Sequence, residues 1–191
     1  KYRHYDLDRI KTFNLYPSTF IFCLKDAPCN QDEYNDLDPI IEKFDLESQS
    51  ASDFIESQFD DIIKNSLYNL ILCINNSLDG EKFDFSYFTG NDLLNITFIN
   101  YDESVNLEIN GFPARNECQF EITNCTIDVI PNDCKIKELI SRNSLIKGTN
   151  LNILHGTFYK NVNLLSKDIE FSVSESYYSF EENDYLYKEN D

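Results

Sequence analysis

The sequence predicts an α+β domain in which an antiparallel sheet of about six or seven strands carries one long amphipathic helix. Three observations predict this class. Apolar residues recur every three to four positions in one stretch, they alternate with polar residues through most of the chain after Gly80, and six cysteines indicate disulfide bonding. A β-sandwich with an outer helix is the alternative. The 191 residues suit a single domain.

The helix is predicted to begin at Asp53, because Asp53 and Glu56 have the spacing of an N-cap and its capping-box partner. It is predicted to end near Asp79 and Gly80, a turn pair. Cys73 lies on the flank of its apolar stripe, and Asn75 points away from it. The stripe consists of Ile55, Phe59, Ile62, Ile63, Leu67, Leu70, Ile71, Ile74 and Leu78.

The strands are predicted from a two-residue period in three apolar sets. The sets are Phe83, Phe85 and Tyr87; Leu94, Ile96 and Phe98; and Val105, Leu107 and Ile109. The alternation changes phase near Asn124, which predicts a bulge or tight bend there. Further strands are expected at 151–159 and 169–173, and a short helix at 136–140. Short strands in local order favour antiparallel pairing, with the long helix covering one face.

We divide this single domain into three parts. Residues 1–51 form a loop-rich acidic N-terminal arm, 52–174 the helix-plus-sheet core, and 175–191 an acidic tail rich in tyrosine. No apolar run approaches the length that a membrane helix needs, so no membrane insertion is expected. Because the chain begins at Lys1 and contains no Met, we interpret it as a processed mature form.

The cysteines and three glycosylation sequons indicate secretion. An even set of cysteines favours three disulfides, whose connectivity stays open among fifteen pairings. No metal site is expected, since no spacing is CxxC and the only histidines are His4 and His155. The expected disulfide cysteines are Cys23, Cys29, Cys73, Cys118, Cys125 and Cys134, and the expected glycosylation sites are Asn75, Asn95 and Asn124. Asn95 alternates out of phase with Leu94, Ile96 and Phe98, so it should face away from the core.

Catalytic equipment is missing from the sequence. Neither histidine has a recognisable nucleophile partner, no phosphate-binding or hydrolase motif occurs, and the abundance of acids makes any carboxylate pair uninformative. We therefore expect neither an enzyme nor a cofactor.

The formal net charge is −18, and the excess of acid lies in two blocks. Residues 30–61 carry a local charge of −10 and residues 175–191 one of −5. Such a field repels nucleic acid and anionic membranes and favours basic partners. The candidate partner-binding residues are Asp32, Glu33, Asp36, Asp38, Glu181, Glu182, Asp184, Tyr185 and Tyr187.

Two resemblances bear on the partner. The helix-then-strands layout, with the early pair Cys23 and Cys29, resembles arthropod lipid-carrying proteins of the takeout and mite group-7 type, which implies an apolar ligand. The strand between Cys118 and Cys125, with the stretch 153–159, is similar to secreted poxvirus immune-evasion β-sandwiches, which implies binding of immune proteins. The first hypothesis is accordingly a secreted binder of a basic extracellular protein; the alternative is a carrier of an apolar or lipid ligand.

Overall fold

The structure is a computed structural model that describes residues 18–29, 32–33, 36, 39–47, 49–59, 68–88, 93–112, 118–131, 134–148, 151–159, 162–166, 169–173 and 177–180. This part of the chain contains one α-helix, α1 (Ala51–Phe59), and fourteen strands. The strands are β1 (Ser18–Leu24), β2 (Ile40–Phe44), β3 (Tyr68–Ile74), β4 (Lys82–Asp84), β5 (Leu93–Asn100), β6 (Val105–Gly111), β7 (Cys118–Thr123), β8 (Cys125–Val129), β9 (Cys134–Arg142), β10 (Leu145–Gly148), β11 (Leu151–Tyr159), β12 (Val162–Ser166), β13 (Ile169–Val173) and β14 (Tyr177–Phe180).

The strands form two sheets. The large sheet has the order β14-β11-β9-β7-β5-β3-β1-β2, and the small sheet has the order β13-β12-β10-β8-β6-β4. From β3 to β12, consecutive strands alternate between the two sheets. The chain therefore winds in successive coils, each of which adds one strand to each sheet, as in a β-solenoid.

Pairing is parallel throughout both sheets except at one end of each, where β14 pairs antiparallel with β11 and β13 with β12. The predicted antiparallel α+β fold is therefore wrong. The prediction assumed that neighbours in sequence become neighbours in a sheet. In coils of this kind each strand instead pairs with the strand two elements away, which necessarily runs in the same direction.

The predicted long helix is also wrong. Helix α1 ends at Phe59 as the structure describes it, and Leu70–Ile74 belongs to β3, where all five residues are buried. A strand in the middle of a sheet that is covered on both faces reads as a continuous apolar run, which matches a buried helix equally well. The predicted helix residues Ile62, Ile63 and Leu67 lie outside the described residues.

The start of α1 differs from the prediction by one turn. Ser50 is its N-cap: the Asp53 amide donates to the Ser50 hydroxyl at 3.1 Å, and the Phe54 amide donates to the Ser50 carbonyl at 3.0 Å. Asp53 itself lies in the first helical turn, where its negative charge is favourable.

The predicted helix at 136–140 is strand β9. Ile136 and Leu139 are both fully buried although they are three residues apart, which is the helical spacing. The reason is a register shift: Cys118 pairs with Ile136 but Gln119 pairs with Glu138, so Lys137 is an extra residue in β9. A bulged strand thus imitates a helical period.

Several strand predictions are confirmed. Elements β5, β6, β11 and β13 lie where the two-residue alternation places them. Of the strand predicted from Phe83, Phe85 and Tyr87, only Phe83 lies in a strand, β4. The phase change near Asn124 is confirmed as well, since Asn124 alone separates β7 from β8 and has a positive φ of 56°.

The core lies between the sheets and consists of side chains stacked in rows along the solenoid. One row of the large sheet is Phe20, Leu70, Ile96, Phe120 and Leu139, and the next is Phe22, Leu72, Phe98, Ile122, Ser141 and Phe158. The sheets meet through aromatic rings: Phe83 of β4 packs edge-on against Phe98 at 5.1 Å between centroids. Such ring contacts fill the space between the described strands.

The segment predicted to be a loop-rich arm supplies β1 and β2, which extend the large sheet beyond β3. Helix α1 closes this end of the core. Its Ile55 and Ala51 are fully buried, and its Phe54 stacks on Phe44 of β2 at 5.0 Å. The Asp84 amide of β4 donates to the Ser52 hydroxyl at 3.1 Å, so the helix lies beside the last strand of the small sheet.

Candidate functional site

Three cysteines meet on the outer face of the large sheet, and we call them the cysteine cluster: Cys23, Cys29 and Cys73. Cys23 in β1 and Cys73 in β3 are register partners in adjacent parallel strands. The turn after β1 brings Cys29 back over this face, where it forms a disulfide with Cys23. The three sulfur atoms all lie within 4.8 Å of one another.

The cluster lies in a small apolar environment of its own. Cys23 and Cys73 are each 1% exposed, whereas Cys29 is partly exposed. Ile21 and Ile71 complete the buried group, against which Ile41, Ile99 and Tyr101 pack. Burial raises the pKa of the Cys73 thiol to about 11; a hydrogen bond from Tyr101 opposes this, and the charge of Glu33 adds to it.

Three sulfurs at this spacing are a ligand set for a soft metal ion once all three are thiols. In the disulfide-bonded state only Cys73 offers a thiol. Sequence reasoning missed this grouping, because it looked for metal sites in short spacings, and Cys73 reaches the other two through strand pairing alone. The signal that would have found it is the parallel register of β1 and β3.

Of the three expected disulfides, the described residues contain one. Cys23 and Cys29 are bonded, while Cys73 and Cys125 carry thiols. Cys118 is buried, and the side chain of Cys134 lies outside the described residues. The Cys125 thiol donates to the Thr123 carbonyl at 3.2 Å, and burial raises its pKa to about 12.

A second feature lies at the β2 end of the large sheet, and we call it the acidic edge: Asp32, Glu33, Asp36, Glu42 and Glu47. All five side chains are exposed. They precede, lie within and follow β2, which among the described strands pairs only with β1. Glu33 also lies near enough to the cysteine cluster to affect the pKa of Cys73. The acidic edge and the cysteine cluster are therefore neighbours.

The described residues include only three of the nine predicted partner-binding residues. Asp32, Glu33 and Asp36 are described and exposed. The others, Asp38, Glu181, Glu182, Asp184, Tyr185 and Tyr187, lie outside the described residues. Glu42 and Glu47, which the prediction counted in the acidic block but did not select, extend the exposed carboxylates along the edge.

Asparagines occupy the turns where the chain passes from the large sheet to the small one. The side-chain nitrogen of Asn124 donates to the Asn100 backbone carbonyl at 3.1 Å. The side-chain oxygen of Asn124 accepts from the side-chain nitrogen of Asn143 at 2.9 Å. Asn100 in turn donates to the Asn124 carbonyl at 2.9 Å. Asn124 and Asn143 both have positive φ, a conformation that asparagine tolerates. We call Asn100, Asn124 and Asn143 the asparagine ladder.

The three sequon asparagines differ in their surroundings. Asn75 was predicted to lie on the long helix, but it follows β3 instead. It caps a 3-10 turn (Asn76–Leu78), and its side-chain oxygen accepts a hydrogen bond from the Ser77 amide at 3.0 Å. Asn95 lies on the outer face of β5, opposite the buried Ile96 and Phe98, as its alternation predicts. Both polar groups of the Asn124 side chain are engaged in the ladder.

The outer face of the large sheet also carries ionisable side chains outside the cysteine cluster. His155 is exposed in β11 and is the register partner of Glu138. Arg142 forms an ion pair with Glu121 and lies 4.8 Å from the centroid of the Tyr159 ring. The Arg142–Glu121 ion pair neutralises two charges on this face. His4 lies outside the described residues.

Comparison with protein-family models, with curated proteins and with solved structures gave no match for this chain. Among the described residues no helix is both long enough and apolar enough to cross a membrane.

Proposed function

We propose that the chain is an extracellular, non-enzymatic binding module that engages a basic protein segment at the acidic edge. The observation that carries the proposal is the group of exposed carboxylates before, within and after β2, the outermost described strand of the large sheet. A basic segment would be complementary in charge to these exposed carboxylates.

The edge offers backbone groups as well as charge. In a parallel sheet an outermost strand exposes amide and carbonyl groups that an extended peptide can use to add a strand. Ile40 of β2 is 46% exposed, which gives such a peptide an apolar contact beside Glu42. The carboxylates would set the preference for lysine and arginine, and the backbone would hold the peptide in register.

An extracellular location is part of the proposal. The Cys23–Cys29 disulfide is of the kind that persists in oxidising compartments, and Asn75 and Asn95 lie in sequons at partly exposed positions. The acidic tail, with Glu181, Glu182, Asp184, Tyr185 and Tyr187, would be a second contact for the same basic partner.

The test measures binding of a fluorescent deca-lysine peptide by anisotropy, with a deca-glutamate peptide as the reference. Binding should weaken steeply between about 50 and about 500 mM salt, since exposed charges are screened over that range. The double variant Glu42→Lys, Glu47→Lys should weaken binding at low salt by about tenfold or more, which is about 1.4 kcal/mol.

The matched control is Glu103→Lys, Asp128→Lys, which changes the net charge equally at positions outside the acidic edge. Its effect should stay within about twofold. Equal losses in the two double variants would mean that overall charge and not the edge attracts the peptide, and no binding by the unaltered protein would exclude the proposal. Deletion of residues 181–191 separately measures how much the acidic tail contributes to binding of the deca-lysine peptide.

A further inference from the structure

The cysteine cluster contains one more sulfur than its disulfide needs. Cys73 lies in register with Cys23, and its sulfur is within 4.8 Å of both bonded sulfurs. A thiolate beside a disulfide is the arrangement from which thiol–disulfide exchange proceeds. Strand pairing fixes Cys23 and Cys73 in the sheet, whereas Cys29 is held in the cluster by the turn after β1.

Access to the three sulfurs from solvent is unequal. Cys23 and Cys73 are each 1% exposed and lie among Ile21 and Ile71, while Cys29 is partly exposed. A reagent in solution therefore meets Cys29 first. Attack on the buried sulfurs has to come from inside the cluster.

We propose that Cys73 exchanges with the Cys23–Cys29 disulfide and so makes Cys29 a site for covalent attachment of a disulfide-bearing partner. In the first step the Cys73 thiolate attacks the Cys23 sulfur. The Cys73–Cys23 bond forms, the Cys23–Cys29 bond breaks, and the electron pair leaves on Cys29 as a thiolate. One disulfide replaces another, so no oxidant or reductant is consumed.

In the second step the Cys29 thiolate attacks one sulfur of an external disulfide. A mixed disulfide forms on Cys29, and the other half of the external disulfide leaves as a thiolate. The direction follows from exposure: the first step moves a thiolate from a buried position to a partly exposed one, where water stabilises the charge.

Exchange has to begin at Cys73, since its sulfur is the one in the cluster that is not part of the disulfide. Among the described residues, ionisable groups near the cluster include Tyr101, which follows β5, Glu33 from the segment before β2, and Lys43, the register partner of Cys23. Exchange is therefore gated by Cys73, whose side chain is buried.

The first experiment labels the native protein with N-ethylmaleimide, quenches it in acid and maps the peptides without reduction. We expect label on Cys29 together with a Cys23–Cys73 linked peptide. In Cys73→Ala, which adds no polar atom to the apolar cluster, labelling of Cys29 should fall at least about tenfold. Cys125→Ala, which removes a buried thiol outside the cluster, should label as the unaltered protein does.

The second experiment supplies glutathione disulfide as the external partner and locates the adduct by mass. One glutathione on Cys29 is expected, with at least about tenfold less in Cys73→Ala. Far-UV circular dichroism tests whether Cys73→Ala is folded. If Cys73→Ala does not fold, Cys73→Ser replaces it in both experiments. The proposal is overturned if Cys29 reacts equally without Cys73, if Cys73 itself takes the label while Cys23–Cys29 stays bonded, or if Cys29 takes none.

Discussion

The asparagine ladder should be a main source of stability, and replacing Asn124 by alanine tests this. The side chain of Asn124 joins Asn100 on one side to Asn143 on the other, at 3.1 and 2.9 Å. Losing two hydrogen bonds costs about 1 kcal/mol each. Alanine at a φ of 56° adds about 1 kcal/mol of backbone strain. The free energy of unfolding should therefore fall by about 3 kcal/mol.

Two further variants separate these contributions. Asn124→Gly loses the same hydrogen bonds but adopts a positive φ freely, so it should lose about 2 kcal/mol. Asn106→Ala is the control: it removes one exposed hydrogen bond, to Asp79 at 2.9 Å, from a strand residue, and should cost less than about 1 kcal/mol.

Urea unfolding measures all three variants. For a dependence of the unfolding free energy on urea of about 2 kcal/mol per molar, the urea midpoint of Asn124→Ala should lie about 1.5 M below that of the unaltered protein. Far-UV circular dichroism and tyrosine fluorescence have to report the same transition, because solenoids can unfold coil by coil. If Asn124→Ala changes the free energy of unfolding by less than about 0.5 kcal/mol, the asparagine ladder does not stabilise the fold. If the alanine and glycine variants lose the same free energy, backbone strain makes no contribution.

Three more predictions concern single side chains. Phe98→Ala, at a fully buried position whose ring contacts three others, should lower the free energy of unfolding by about 3–5 kcal/mol in urea titration; a loss under about 1 kcal/mol would contradict the packing. Ser141→Ala should be neutral or stabilise by about 1 kcal/mol in the same assay, because its buried hydroxyl has no hydrogen-bond partner in the described part of the chain; a clear loss would point to a partner. Hydrogen bonds from the Asn106 amide and side chain hold the pKa of Asp79 below its usual 3.8, so its stabilisation is present at neutral pH and is lost as pH falls through the folded-state pKa. The gap in urea midpoint between the unaltered protein and Asp79→Ala should therefore close in acid, and a gap that is constant with pH would exclude the charge as its cause.

A strand is recognisable in the sequence when one of its faces is exposed and the other is buried, and β6 is the clearest case. In β6 burial alternates at every residue, with Val105, Leu107 and Ile109 inside, so the two-residue period is visible in the sequence. In β3 the outer residues Ile71 and Cys73 are buried as well, which erases the alternation. Nothing local in Leu70–Ile74 distinguishes a strand from a helix.

The parallel winding left a trace in the sequence that the antiparallel prediction did not use. Asn75, Asn100, Asn124 and Asn143 each follow a strand of the large sheet or end one, spaced 25, 24 and 19 residues apart. Recurrence of one turn residue behind apolar strands is the signature of a repeat architecture. Where only one or two residues separate the strands, as at Asn124 and Asn143, the turn uses positive φ, which asparagine tolerates, and the asparagine side chain can satisfy backbone groups as well.

The candidate site was less predictable than the fold, because it depends on register. Counting six cysteines predicts disulfides only if chain topology lets the sulfurs meet, and in a solenoid the surest meeting is between equal positions of adjacent coils. Of the described strand pairs, only β1 with β3 places two cysteines opposite each other; Cys118 is opposite Ile136, and Cys125 is opposite Val105. A one-residue shift of β3 would turn Cys73 into the core and separate it from Cys23. The sulfur chemistry on the outer face is thus a consequence of the same register that stacks Phe22 on Leu72 inside.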